Sequence, residues 1–314
     1  MAKTMRAVPI HRHGNADELT LEQWPIPELR DGEVLIRSHA VAINPVDYKM
    51  REGSRRPLDP NKFPVVLGWD VSGVVEQTKD PAFKIGDEVF GLVRFPEFVG
   101  GYADYVASPA GDLALKPKSI DHVHAAAVPL AALTAWQALF DNAKIVAGER
   151  ILVHAAAGGV GHFAVQFARW KGAEVYGTAS GRNRDFVLGL GAKDVIDYTT
   201  TDIADALSDL DYVVDSLGPS VRPASYKVLK KGGLLVVLLY PMPSPEELKA
   251  ADVQASLTLV HPDGGQIKQI AELIESGAVV PHVDSVFPLE SIADAHRRVE
   301  TGHARGKVVV KIAD

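Results

Sequence analysis

The chain contains no cysteine. Disulfides, thiolate zinc sites, iron–sulfur clusters and cysteine nucleophiles are therefore all excluded, and any redox chemistry needs a bound cofactor. Nor is there a surplus of positive charge: 40 acidic against 33 basic side chains leave a formal net charge of −7. A broad electrostatic grip on a phosphate backbone is not expected, so nucleic acid is not an expected partner. Long apolar runs are missing too. The longest stretch, Ala125 to Trp136, is alanine-rich, carries Pro129 and Thr134, and falls short of the roughly 20 residues of a membrane span. Residues 1–14 hold only a short apolar patch before histidines and an arginine, without the apolar core of a signal peptide. No repeat or low-complexity tract is visible, which removes solenoids. The expectation is a cytoplasmic globular protein without membrane contact.

What is present is enough chain and apolar side chain for two cores: 314 residues, 46% hydrophobic. From Met5 to about Pro117 the sequence runs in short β-rich pieces, Val34 to Ala42, Val71 to Glu76, Glu88 to Val93 and Tyr102 to Ala107. Turn-formers such as Arg30-Asp31-Gly32 and Ile85-Gly86-Asp87 separate them. Around Asp121 the texture becomes helical, with good helix formers from Ala125 to Phe140. From Ile151 strand and helix alternate. Apolar runs at Ile151 to Ala156, Glu174 to Ala179, Asp194 to Ile196, Tyr212 to Asp215, Leu234 to Leu239 and Ser256 to Val260 predict six strands of a parallel, doubly wound sheet. After Val283 the pattern is strand, helix, strand: Asp284 to Phe287, Leu289 to Gly302, Gly306 to Ile312. The fold class is α/β.

The stretch that carries chemistry is Ile151 to Ala168. A buried strand enters the small-residue turn Ala155-Ala156-Ala157-Gly158-Gly159-Val160-Gly161, and an amphipathic helix leaves it. Ala156-x-Gly158-x-x-Gly161 is the dinucleotide fingerprint GxGxxG with alanine first. Gly158 lets backbone approach a pyrophosphate, Gly161 lets helix and strand pack closely, and the helix N-terminus favours negative charge. The alternative is an ordinary tight turn, less apt for the first strand–helix turn of a six-strand pattern. The next strand ends in Ser180-Gly181-Arg182-Asn183-Arg184, where an NAD site would carry an acid for the ribose hydroxyls. Ser180 and Arg182 instead suit a 2′-phosphate, which points to NADP(H); otherwise Ser180 is a helix N-cap and the arginines are solvated.

With these residues in view the chain resembles a known family, the zinc-independent quinone oxidoreductases of the medium-chain dehydrogenase/reductase superfamily. The likeness runs through Gly32-Glu-Val-Leu-Ile, Ala42-Ile-Asn44-Pro45-Val-Asp47-Tyr48, Gly68-Trp-Asp70-Val-Ser-Gly73 and Gly86-Asp87-Glu-Val-Phe-Gly91. It continues in Gly101-Tyr102-Ala-Asp-Tyr105, Leu133-Thr134-Ala135-Trp136, the glycine turn, and Gly302-His-Ala-Arg305-Gly306-Lys307. The resemblance implies a GroES-like β-rich catalytic domain (1–123), a Rossmann NADP-binding domain (124–283), and a return to the catalytic domain (284–314), with the nicotinamide in the interdomain cleft. It also implies that no metal is held, because Asn44, Trp69-Asp70 and Leu130 stand where zinc-dependent relatives carry their ligands. Without a Lewis acid, alcohol oxidation lacks its usual alkoxide stabiliser. Reducing a quinone or an enone needs mainly positioning and one hydrogen-bond donor. By resemblance Asn44, Tyr48 and Thr134 line the nicotinamide end, with Tyr48 as candidate donor; alternatively Asn44 and Asp47 form an Asx-type turn and Tyr48 is core. Leu239, Val260 and, on the adenosine side, Tyr198 are further cofactor candidates; His261 has no assigned role. The implied activity is NADPH-dependent quinone reduction, with 2-alkenal or enone reduction as alternative and an NADPH-binding sensor or crystallin-like structural protein as the non-enzymatic reading. A homodimer is implied, joined along strands near Ser256 to Val260.

Other patterns are discounted. His11-x-His13 and His122-x-His124 are too sparse for a metal site. Gly306-Lys307 lacks the glycine spacing of a P-loop, and Ser180 lies one place late for a nucleophile elbow. Pro245-Glu246-Glu247 reads as a helix start.

Overall fold

The computed structural model describes residues 3–55, 57–98 and 100–313. It falls into two compact units: Met1–Leu133 with His261–Gly277 and Pro281–Asp314, and Thr134–Val260 with Ala278–Val280. Packing therefore places the helix Gly264–Glu275 with the first unit, where a methyl on Gly264 would lie 2.5 Å from the Leu113 carbonyl oxygen.

The first unit is built on the strand Glu33–Ile43, eleven residues that are buried almost throughout rather than in alternation. Such a pattern belongs to a strand covered on both faces. Its sheet runs in the order Val283–Pro288, Lys307–Lys311, Glu33–Ile43, Asp70–Thr78, Glu88–Leu92, Leu113–Leu115, with Tyr105–Pro109 also paired to Glu33–Ile43. All its pairs are antiparallel except Val283–Pro288 with Lys307–Lys311. The C-terminal strand thus sits beside Glu33–Ile43. The expected strand from Tyr102 begins instead at Tyr105. The Tyr102 N–H bonds to the Leu67 carbonyl and its carbonyl accepts from Val8, which turns this backbone away from the main ladder.

The helix Pro45–Arg51 leaves the end of Glu33–Ile43 directly. Pro45 opens it, and the Asp47 carboxylate accepts the Asn44 N–H at 2.5 Å, which caps the first turn. The expected helix from Ala125 to Phe140 is in pieces. His122–Ala126 stops before Pro129, Pro129–Trp136 restarts, and Gln137–Asn142 widens into a π-turn closed by the Ala143 N–H on the Ala138 carbonyl. Proline lacks the N–H that would continue the first piece.

The second unit has the expected six-stranded sheet, parallel throughout. Its order is Asp194–Asp197, Glu174–Ala179, Arg150–Val153, Leu210–Asp215, Leu229–Val237, Gln254–Leu257. In sequence rank this is 3-2-1-4-5-6, the doubly wound arrangement whose ligand crevice opens beyond the carboxyl ends, where the order reverses between first and fourth strands. Several boundaries differ from the sequence reading; the fifth strand, for example, starts at Leu229 rather than Leu234. The first strand ends at Val153, so His154 to Ala156 belong to the turn, and the last strand is Gln254–Leu257 rather than 256–260.

Candidate functional site

In the second unit the turn after Arg150–Val153 is stitched to the neighbouring strand. The Ala156 N–H donates to the Thr178 carbonyl and the Ala155 N–H to Thr178 Oγ1, while the Gly158 N–H returns to the Ala155 carbonyl at 2.8 Å. Ala155 is held at φ 48°, a left-handed conformation that costs a non-glycine residue energy and persists because these bonds over-determine it. Below it, buried His154 faces Thr178 Oγ1 at 3.1 Å and Ser225 Oγ at 2.9 Å, and burial lowers its pKa to about 4. The imidazole is therefore neutral at pH 7 and serves as a fixed strut.

The helix Gly159–Trp170 starts here with Gly158 as its N-cap residue, and no side chain caps it. The first-turn N–H groups of Gly159, Val160 and Gly161 lack intrahelical acceptors by the geometry of any helix. Gly158, Gly159 and Val160 are half-exposed, whereas Ala156 and Gly161 are buried. Within 4 Å a methyl on Gly158 would meet only the Ala155 carbonyl oxygen, at 3.2 Å; one on Gly161 would lie 2.2 Å from that oxygen. Gly158 thus leaves room beside the first-turn N–H groups, a cradle lined by donors, and Gly161 closes the helix onto the turn. A dinucleotide pyrophosphate fits this cradle.

The other expected cofactor residues lie at the ends of the same sheet. Ser180 and exposed Arg182 follow Glu174–Ala179, exposed Tyr198 follows Asp194–Asp197, and half-buried Leu239 and Val260 follow the last two strands. Ser180 stands at the N-cap of the short turn Gly181–Asn183, yet its hydroxyl accepts from Asn183 Nδ2 rather than capping backbone. Arg184 is committed to Asp194 and the Val195 carbonyl at its own sheet edge. Two carboxylates here escaped the sequence reading. Asp197 lies beside Gly181 and is held below the usual carboxylate range by Thr199 and the Gly181 N–H. Asp215, fully buried, accepts from the Leu217 and Gly218 N–H groups and pairs with Arg222 Nε at 2.9 Å; Arg222 Nη2 donates in turn to the Leu239 carbonyl.

In the first unit Asn44 and Tyr48 are brought to the start of one helix. Asn44 is buried; its Nδ2 donates to Asp70 Oδ2 at 2.8 Å, and its Oδ1 accepts from the Lys307 ammonium. Asp70, also buried, takes the Leu130 N–H at 2.6 Å on its other oxygen and Lys307 at 3.1 Å. Asp47, which caps the helix, is raised to about 7 by burial, against the opposing pull of Tyr102, the Asn44 N–H and Lys307. Tyr48 is half-buried rather than core, and burial raises its pKa with help from Glu52 and Glu300, so the phenol keeps its proton. Thr134, buried in Pro129–Trp136, belongs to the second unit.

The donor set at the positions of the zinc ligands does not suit the metal. Asn44 and Asp70 are spent on each other and on Lys307, Leu130 is aliphatic, and the Trp69 indole donates to the Glu97 carbonyl at 2.6 Å while packing edge-on against Phe95. Among the described residues no group of three or more His, Asp or Glu side chains is arranged to hold a metal ion.

Comparison with known proteins agrees with this architecture. Residues 30–118 match the Alcohol dehydrogenase GroES-like domain family and residues 190–310 the Zinc-binding dehydrogenase family. The chain is 38% identical to the chloroplastic NADPH-dependent alkenal/one oxidoreductase of Arabidopsis thaliana, over 98% of this chain and 80% of that one. It is 34% identical to the chloroplastic quinone-oxidoreductase homolog of Spinacia oleracea, over 99% of each. The solved quinone oxidoreductase from Coxiella burnetii superposes with a TM-score of 0.92 at 34% identity, covering 99% of this chain and 100% of that one. The chain belongs to the quinone oxidoreductase family of the medium-chain dehydrogenase/reductase superfamily.

Proposed function

We propose that the protein is an NADPH-dependent quinone oxidoreductase working without metal. The observation that carries this reading is the uncapped, half-exposed helix start at Gly158–Val160, set at the switch point of a parallel sheet. NADPH, when bound, supplies a hydride. Gly158, Gly159, Val160 and Gly161, with Ala156 behind them, hold its pyrophosphate; Ser180 and Arg182 take the 2′-phosphate; Tyr198, Leu239 and Val260 flank the remainder. Asn44, Tyr48 and Thr134 would serve the nicotinamide and substrate end, where Tyr48, protonated at neutral pH, would hold a proton for the substrate oxygen. Reduction of 2-alkenals and enones is the second reading, supported by the name of the Arabidopsis relative. Following NADPH oxidation at 340 nm over a panel of quinones and enals tests both; no turnover with any of them would overturn the enzymatic reading.

The cofactor preference has its own test. A guanidinium bonded to the 2′-phosphate contributes roughly 1.5 to 3 kcal/mol, about 10- to 150-fold in affinity. Arg182→Ala is expected to weaken NADPH by that factor and to leave NADH nearly unchanged in a fluorescence titration. Equal losses for both cofactors would remove Arg182 from the site.

A homodimer and a cytoplasmic location belong to the proposal as well. The strand Gln254–Leu257 pairs on one side only and is half-exposed, and Leu259 beyond it is exposed. Such an edge is a template for a second copy. Light scattering at micromolar concentration is expected to give twice the chain mass; a particle of one chain mass would refute the dimer. No helix among the described residues is long and apolar enough to cross a membrane. The catalytic domain is proposed as 1–123 with 284–314 and the NADP-binding domain as 124–283, except that 124–133 and 261–277 pack with the first unit.

A further inference from the structure

We infer that Lys307 and Asp70 are positioning residues for the Asn44 amide. Four separate pieces of chain converge on this pair. Lys307 lies on the last strand, Asp70 starts Asp70–Thr78, Leu130 lies in Pro129–Trp136, and Ile43 and Asn44 join Glu33–Ile43 to Pro45–Arg51. The ammonium, 3% exposed, donates to the Ile43 carbonyl at 3.1 Å, to Asp70 at 3.1 Å and to Asn44 Oδ1. Asp70, 0% exposed, accepts from Lys307, Asn44 Nδ2 and the Leu130 N–H.

The chemistry allows the amide a single orientation. With a cation against its oxygen and an anion against its nitrogen, flipping Asn44 would set NH₂ against ammonium and carbonyl against carboxylate, two like-polarity contacts without solvent to screen them. The same two charges polarise the amide, so its remaining N–H is a stronger donor than a neutral asparagine offers. Because Lys307 also bonds the Ile43 carbonyl, the pair sets the backbone junction from which the helix carrying Tyr48 departs. The arrangement is thus a charged clamp on one amide and one helix start. Its kinetic consequence rests on the function proposed above; its structural consequence does not.

The test uses an isosteric, charge-free pair. Lys307→Met alone strands a buried carboxylate and is expected to lose stability, so the informative variant is Lys307→Met with Asp70→Asn. The amide introduced at position 70 then meets the Leu130 N–H with its oxygen and Asn44 with its NH₂, which requires Asn44 to turn its own oxygen toward that position. With no ammonium to oppose that turn, the Asn44 amide flips in a folded protein. Two readouts follow. In the protein without cofactor, the Asn44 side-chain NH₂ resonances, assigned by their loss in Asn44→Asp, exchange slowly with water in the wild type and rapidly in the double variant. In turnover, kcat for the best quinone or enone falls about 100-fold, the scale of one misplaced transition-state donor, while the dissociation constant of NADPH is unchanged. A folded double variant with wild-type exchange and wild-type kcat would overturn the positioning role, as would one tightly bound zinc per chain in elemental analysis. A wild type that shows the slow exchange but turns over no quinone or enone would instead refute the proposed function and leave the clamp standing.

Discussion

Gly158→Val is expected to fold with a near-wild-type thermal midpoint and to lose NADPH binding, whereas Gly161→Val, three residues on, is expected to lose the fold of its unit. The two glycines share a turn and a helix but face different things. Gly158 has φ −82° and ψ −176°, an extended conformation open to any residue, and a methyl there meets only the Ala155 carbonyl oxygen, at 3.2 Å. A valine fills the cradle instead and holds a pyrophosphate away from the first-turn N–H groups. Losing two bonds to a charged group, at about 1.5 to 3 kcal/mol each, corresponds to at least a roughly 100-fold loss. At Gly161 the obstacle is main chain: 2.2 Å to the Ala155 oxygen and 2.8 Å to the Ala156 Cα. Backbone of a turn already held in a left-handed conformation at Ala155 cannot swing aside as a side-chain tip does. Thermal melts with an NADPH fluorescence titration check both. A folded Gly158→Val protein that still binds NADPH would remove this glycine from the cofactor site.

The second large effect is expected at Asp215. Asp215→Ala leaves the Arg222 guanidinium buried without its carboxylate and orphans the Leu217 and Gly218 N–H groups, so urea unfolding is expected to show a loss of about 3 to 5 kcal/mol. The damage spreads to Leu239, a residue proposed for the cofactor site, because Arg222 also holds its carbonyl at 3.1 Å. Removing both charges together, as Asp215→Ala with Arg222→Met, is expected to recover part of that loss, since no unpaired ion is then buried. A single-variant loss below about 1 kcal/mol would show that the pair is not the brace described here.

The long-range pairs behind these sites were hidden for a simple reason. Asp70 and Lys307 both stand in motifs that the sequence shows, yet 237 positions separate them, and nothing in either motif says that they meet. Asp197 is hidden in the same way: a ribose-binding acid is expected at the end of the second strand of the parallel sheet, and the carboxylate beside Gly181 comes from the third. Asn44 and Tyr48 were named by resemblance alone, and only the packing separates a buried amide held by two charges from a half-buried phenol that keeps its proton.

By itself the sequence determined what is local and periodic: six strands alternating with helices, the small-residue turn at 155–161, proline and capping residues at helix starts, and the lack of thiolates. These follow from side-chain periodicity, backbone freedom and composition, which act within a few residues. Tertiary structure decided the rest. It broke the 125–140 helix, moved several strand ends, committed Arg184 to Asp194 and the Val195 carbonyl, and joined Lys307, Asp70, Asn44 and Leu130 at one point. Buried charges take the partners that the fold brings within about 3 Å, and that choice depends on strand order and register.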